Sequence, residues 1–433
     1  MRRMPVMSDT TTRIAGARGP IAPLRWLTRD RIALYGAACL VLQASLLGIW
    51  AIAYWRLHVP GVPLPGSDFR VFWCASQVSL RDSALAAFDQ SRMLACEAEL
   101  QAGTPLAQMF GPWVYPPPFQ LLVYPLALLR YAGAYAVFMG VSLSACLWAC
   151  APAMRTRPLP WVVVLAFPGF AVMAVHGQNS LLTLALAAGA LGLLDTAPVW
   201  AGVCAGLLVI KPQLAPLFPL LFLCGRHYRA LVAAMGSAAC LCAVSVFSFG
   251  WPLWLACLHT LAWFQDAALD RDGGHLWCAM PTVFALAKHM GATQGCALAL
   301  HGALAAVAVG TTALAWYRHA DRNLCTAAAV VAALLIPPYL VYYELAWLLL
   351  PVIYLCAYAR SRQGPRSSIY AIYAAYALAA TAWCAPCAAF LAIVLTGTCQ
   401  WVVVLLPLML AAILREAFLL SGRRRSNSAA LPV

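Results

Sequence analysis

The sequence predicts an all-α polytopic membrane protein, a bundle of about twelve transmembrane helices within a range of about ten to thirteen. Three observations carry this reading. Hydrophobic residues make up 64% of the 433-residue chain and charged residues only 10%, against about 25% charged in an ordinary soluble domain. Several apolar runs reach about 20 residues, the length that crosses a hydrocarbon core of about 30 Å. These runs are continuous rather than alternating, which excludes a β-barrel.

The net charge of +14 sets orientation rather than pointing to nucleic acid. Basic residues collect at the ends (Arg2, Arg3, Arg13, Arg18, Arg25, Arg29 and Arg31; Arg415, Arg423, Arg424 and Arg425) and in the short loops 226–229, 318–322 and 360–366. That is the positive-inside pattern, not a binding stripe. Both termini are therefore expected in the cytoplasm and the span count is expected to be even. Residues 1–30 read as a basic cytoplasmic tail, 31–415 as the transmembrane domain and 416–433 as a second cytoplasmic tail. No cleavable signal is expected, because the first apolar run is too long and no small-residue cleavage site follows it.

The first span covers about 31–55, and residues 56–116 then form a long outer loop. Within it Phe69, Phe72, Trp73, Val78 and Leu80 fall near helical spacing, which suits a helix lying flat on the bilayer. A second short helix is expected over 90–102. The run Tyr115, Pro116, Pro117, Pro118 ends the loop, since consecutive prolines cannot continue a helix and bias the preceding residue to extended geometry. Residues 119–130 are too short to span comfortably and read as a re-entrant piece or the start of a tilted helix. Later spans are expected at about 132–152, 160–175, 179–194, 198–210, 213–224, 229–249, 294–316, 322–337, 340–358, 368–388 and 391–414, with an outer loop at about 250–280. Two pairs of short spans join at polar tips, His176 to Asn179 and Lys211 to Gln213, and both tips face the side of the first outer loop. No period of 20–50 residues repeats and no inverted halves are found.

Most of the seventeen cysteines lie in apolar helices, where Cys acts as a small hydrophobe. Cys384 and Cys387 copy the spacing of a redox motif, but that motif needs a soluble βαβ setting, and here it is expected to interrupt a membrane helix. Cys74 and Cys96 share the first outer loop, where a disulfide between them is allowed.

The chain has fourteen carboxylates, so each is placed individually. Asp9, Asp30, Asp195, Asp321 and Glu416 lie at cytoplasmic ends; Asp82, Asp89, Glu97, Glu99, Asp266, Asp270 and Asp272 are expected to be solvated in outer loops. Two remain. Asp68 sits in a proline-bounded approach to an aromatic helix, and Glu344 sits inside an apolar run. An ionisable group near membrane depth costs at least about 2.5 kcal/mol on insertion scales, so it marks either a site or a structural ion pair with a nearby Arg or Lys. Lys211, followed by Pro212, either snorkels to the interface or holds an anion such as a phosphate at a helix N-terminus. Gln178 and Asn179 either bind a polyol or close a turn. His176 alone carries little information, and His275 reads as a surface residue. Acids, amides, a lysine and aromatics thus gather towards the outer leaflet, as sugar recognition requires. Metal-ligand spacings are absent outside Asp270, Arg271 and Asp272, which read as solvated, and nucleotide loops are absent too, so no metal and no cofactor is expected. An activated sugar outside the cytoplasm would be carried by a lipid phosphate. A transporter or flippase of a lipid-linked sugar or small solute is the alternative reading.

An ordered set of motifs resembles glycosyltransferase family 87, polyprenyl-phosphate-mannose-type enzymes of the GT-C superfamily. It runs from Gly66, Ser67, Asp68, Phe69, Val71, Phe72 and Trp73 through Ala87 to Asp89, Tyr115 to Phe119, and Tyr124 to Ala127. It continues with His176 to Asn179, Ala201 and Gly202, Lys211 and Pro212, Arg226 to Arg229, and Pro337 to Leu345, covering about 30–415. The resemblance implies a GT-C-type bundle with a helical first periplasmic loop, in a bacterial inner membrane with the active site facing the periplasm. It implies inverting transfer of a hexose, mannose in the family, from a polyprenyl-phosphate donor to a glycan or glycolipid acceptor, and no nucleic-acid partner. The family's catalytic acid maps onto Asp68, the expected general base. Arg70 and Lys211 are the candidates for the donor phosphate. Tyr115, His176, Gln178, Asn179, Tyr343 and Glu344 are the candidates for sugar or acceptor.

Overall fold

A computed structural model describes residues 28–59, 62, 64–100, 111–156, 158–266, 274–362 and 369–429. Among them regular structure is entirely helical, and seven helices are long and apolar enough to cross a membrane. Asp9, Asp270 and Asp272 lie outside the described residues.

α1 (Arg29–Trp55) starts where the Thr28 hydroxyl accepts the Arg31 N–H at 3.3 Å, so a capping side chain replaces a missing intrahelical partner. Its only buried residue is Gly36, and the helix touches the bundle through the partner that glycine admits, Val163. α2 (Phe69–Arg81) and α3 (Gln90–Leu100) form the outer loop's helices. α2 does not lie open on the bilayer as expected. Its residues from Phe69 to Ser79 are buried except Trp73, because α3, α4 (Pro117–Val123) and the 3-10 turn Tyr124–Leu128 pack around it. The Cys74–Cys96 disulfide joins α2 to α3 across a Cα–Cα distance of 5.7 Å.

α5 (Tyr131–Met154) crosses next. The span expected at 160–175 is two pieces, α6 (Trp161–Leu165) and α7 (Pro168–His176). Pro168 has no N–H to donate back to Val164 and continue the ladder, and at the break the amide of Gln43 in α1 donates to the Ala166 carbonyl at 2.9 Å. α8 (Ser180–Gly192), α9 (Pro198–Leu207), α10 (Leu217–Cys224) and α11 (Tyr228–Phe249) follow. α12 (Trp251–Trp263) occupies much of the expected 250–280 loop; its apolar sequence continues past Gly250, whose φ of 81° turns the chain between the two helices. Beyond it come α13 (Gly274–Cys278), α14 (Val283–His289), α15 (Gln294–Tyr317) and α16 (Arg322–Leu335).

α16 is buried from Leu324 to Leu335. With the 3-10 segment Tyr342–Leu348 and α17 (Leu349–Ser361) it forms the centre of the bundle, against which α8 and α18 (Ile369–Thr396) pack. Cys384 and Cys387 lie within continuous α18, with Pro386 accommodated inside it, so they do not interrupt the helix as expected. The break falls instead at Gly397, whose φ is 74°, and α19 (Leu405–Ala429) carries helix past the boundary expected at 415.

α9 and α11 approach closely at Gly202 and Gly206. A Cβ at either position would stand 2.2 Å from the carbonyl oxygen of Ala230 or Ala234. Such small-xxx-small spacing lets two membrane helices meet backbone to backbone. Gly206→Ala is expected to lower thermal stability in detergent by about 1–3 kcal/mol. Gly236→Ala in α11, where a Cβ meets nothing within 4 Å, is the matched control and should leave stability unchanged or raise it.

Candidate active site

Two separate turns make one edge. The Gly66 N–H donates to the Val175 carbonyl at 3.1 Å and the Asp68 N–H donates to the His176 carbonyl at 2.8 Å. This short ladder ties the approach to α2 onto the end of α7. Glycine permits it twice. Gly177 ends α7 at φ 69° and Gly66 turns at φ 80°, in the left-handed region that side chains disfavour. A Cβ on Gly177 would stand 2.5 Å from Phe69 Cβ and 3.1 Å from Gly66 Cα. Tyr131 in α5 donates to the carbonyls of Pro65 and Gly66 at 2.9 and 2.8 Å, and Tyr135 donates to the Ala174 carbonyl. The turns are thus clamped from behind.

This docking collects the side chains. Gln178 Nε2 donates to Asp68 Oδ2 at 3.1 Å and to the Tyr343 hydroxyl at 3.2 Å. Its Oε1 accepts from the Tyr115 hydroxyl and from the Asn179 N–H, both at 3.1 Å. Asp68 Oδ1 accepts from Ser67 Oγ at 3.3 Å and faces His176 Nδ1 at 3.9 Å. The other ring nitrogen of His176 meets the Tyr342 hydroxyl at 2.6 Å. Deeper in, Lys211 Nζ donates to Asn179 Oδ1 at 2.9 Å and pairs with Glu344. One hydrogen-bonded chain therefore runs from Tyr342 to Glu344 through His176, Ser67, Asp68, Gln178, Asn179 and Lys211.

Exposure is graded along this chain. The Asp68 side chain is 32% exposed and that of His176 16%, whereas Lys211 and Glu344 are 6% and 4%. Asp68 is the acid of the cluster that meets solvent or a ligand, and the Lys211–Glu344 pair lies beneath it. A buried pair contributes most when hydrogen bonds satisfy its remaining atoms, as Asn179 does for Lys211.

All the sequence-nominated residues except Arg70 join this network. Arg70 Nε faces Glu97 Oε2 at 3.4 Å in α3 instead. Glu97 is fully buried rather than solvated, and the Gly111 N–H also donates to it at 3.2 Å. The position missed by sequence reasoning is Tyr342. Nothing in the run Tyr342, Tyr343, Glu344 says that all three side chains reach the same cluster, because a 3-10 turn departs from α-helical phasing. Ser67, part of the resembling motif, is not singled out as a site residue either. Among the described residues no group of three or more His, Cys, Asp or Glu side chains is arranged to hold a metal.

The structure is thus an all-helical membrane bundle that gathers a partly exposed carboxylate, amides, tyrosines and a histidine into one hydrogen-bonded cluster. The model of glycosyltransferase family 87 matches residues 113–341, more than half of the chain. The chain belongs to that family and is an integral-membrane glycosyltransferase. Asp68 and the run from Tyr342 to Glu344 fall outside the matched residues. No curated protein matches the chain. No solved structure matches it either.

Burial pushes the Glu97 carboxyl up to about 7, against the opposing pull of Arg70 and the Gly111 N–H. Folding therefore favours its protonated form. Its contribution to stability is present below the ordinary carboxylate range and is lost as pH rises through about 7. The wild type should lose more thermal stability between pH 5 and pH 8 than Glu97→Gln does. Equal losses in the two proteins would contradict that sign.

Proposed function

We propose that this glycosyltransferase moves a hexose, mannose by its family resemblance, from a polyprenyl-phosphate donor to an acceptor hydroxyl on a glycan or glycolipid. The reaction is placed at the periplasmic face of a bacterial inner membrane and inverts the anomeric configuration. The observation that carries the reading is the carboxylate of Asp68, partly exposed and held at the rim of an otherwise buried polar network. The Cys74–Cys96 bridge supports the outer placement, since it lies on the helix that Asp68 precedes and disulfides persist in oxidising compartments. The basic loops 226–229 and 318–322 support it too, because their sequence assigns them to the opposite face.

In the proposed step, Asp68 takes the proton of the acceptor hydroxyl as that oxygen attacks the anomeric carbon. The bond from that carbon to the donor phosphate breaks, and the lipid monophosphate leaves with the electron pair. Gln178 holds Oδ2 of Asp68 and leaves the face of the carboxylate near Oδ1 towards the acceptor. His176, backed by Tyr342, stands across from Oδ1 and orients it. Tyr115 and Tyr343, joined through Gln178, bring their hydroxyls to the sugar or acceptor side of the site.

Of the two cations proposed for the phosphate, Lys211 is linked to Asp68 through Asn179 and Gln178, and serves the reaction from below as a fixed positive charge. Arg70 is turned towards Glu97, and its role is to hold α2 against α3. Glu344 sets the position of Lys211.

General-base assistance is worth about 10²–10⁴ in rate. Asp68→Asn, purified and assayed with a radiolabelled polyprenyl-phosphate-mannose donor, should lose that much turnover while its melting temperature stays close to wild type. Wild-type turnover in the folded Asn variant would remove Asp68 as the base. Redistribution of labelled donor without product, in the wild type, would favour transport over transfer.

A further inference from the structure

Two cysteines stand apart from those in the membrane-spanning helices. Cys278 ends α13, and Cys399 lies between α18 and α19. Their backbones are hydrogen-bonded, with the Cys399 N–H donating to the Cys278 carbonyl at 2.9 Å. The same carbonyl accepts from the Cys399 thiol at 3.4 Å and from Thr398 Oγ1 at 3.5 Å. Gln400 Nε2 donates to the neighbouring Trp277 carbonyl. Two segments 121 residues apart are thus docked residue against residue.

One N–H···O bond of 2.9 Å, taken with standard backbone dimensions, keeps the two Cα atoms within about 7 Å, against the range of about 4.4–6.8 Å that a disulfide spans. Cys399 is buried and Cys278 is half-buried, so Cys278 is the thiol an incoming oxidant reaches first.

The pair also lies next to the active-site network. The Tyr342 N–H donates to the carbonyl of Ala279, the residue after Cys278, at 3.0 Å. The Tyr342 side chain then reaches His176, whose carbonyl holds the Asp68 N–H. Contacts thus link the pair, through Tyr342 and His176, to the segment that leads into the helix bearing Cys74.

We propose that Cys278 and Cys399 form a second disulfide in the mature protein, a covalent tie across the back of Tyr342. The thiolate of Cys278 attacks the disulfide of a thiol–disulfide exchange catalyst of the oxidising compartment and forms a mixed disulfide. The thiolate of Cys399 then displaces the catalyst. The two cysteines give up two protons and two electrons, and the catalyst leaves as its dithiol. The inference rests on the outer placement proposed above.

The test is peptide mapping of full-length protein extracted from membranes without reductant, denatured in a maleimide to cap free thiols, then digested. The expected result is two linked pairs, Cys74 with Cys96 and Cys278 with Cys399, with the membrane-helix cysteines capped. In Cys278→Ser, Cys399 should become capped while the first pair stays linked. Cys74–Cys96 linked with Cys278 and Cys399 both capped in the wild type would overturn the second bridge and leave the outer placement standing. Both pairs fully capped would overturn the bridge and the outer placement together.

Discussion

The site depends on two backbone hydrogen bonds, from Gly66 to Val175 and from Asp68 to His176. They join a loop that follows the first membrane helix to the end of a helix more than a hundred residues later in the chain. Backbone bonds of this kind carry no sequence specificity, so the specificity comes from what lets the two strands approach. Gly66 and Gly177 provide it, each in a left-handed conformation and each facing atoms that a Cβ would strike. Tyr131 and Tyr135 then lock the joint from α5. Remove the approach, and Asp68 loses both Gln178 and the neighbourhood of His176.

The electrostatics of the cluster follow from its depth. A charge buried without a partner costs several kcal/mol; Lys211 is paired with Glu344, and Arg70 faces Glu97, whose own burial pushes its carboxyl up. Asp68 is different. Its side chain is partly exposed, its hydrogen bonds come from the neutral groups Gln178 and Ser67, and His176 faces it at 3.9 Å. Gln178 and Ser67 hold that carboxylate in place while part of it stays open to the surroundings. The buried groups build the frame, and Asp68 stands at its partly exposed edge.

Much of this was legible in the sequence. The fold class followed from apolar run length and loop charge, because lipid forces every backbone polar group into internal hydrogen bonds. The site's members were legible as polar residues that an apolar chain has no structural reason to place near one face. What the sequence could not convey was pairing. Lys211 and Glu344 are each visible as expensive charges, but nothing in a linear chain says that they meet across 133 residues. Arg70 looked like a ligand because it is two residues from Asp68, yet helical geometry turns it towards Glu97. Glu97 looked solvated because it lies in a polar loop, and only the packing of α2 against α3 buries it. Breaks in helices were partly hidden too: Pro168 divides one expected span, while Pro386 is absorbed within α18.

If Gln178 serves the reaction by holding Asp68, the two side chains act as one unit. A double-mutant cycle on turnover tests this most directly. In the wild-type background Gln178→Leu should slow turnover by about tenfold or more, the loss expected from a charge-assisted hydrogen bond of about 1.5–3 kcal/mol. In the Asp68→Asn background the same change should slow it no further. An equal slowing in both backgrounds would show that Gln178 acts independently of Asp68, and a site organised around their contact would be ruled out.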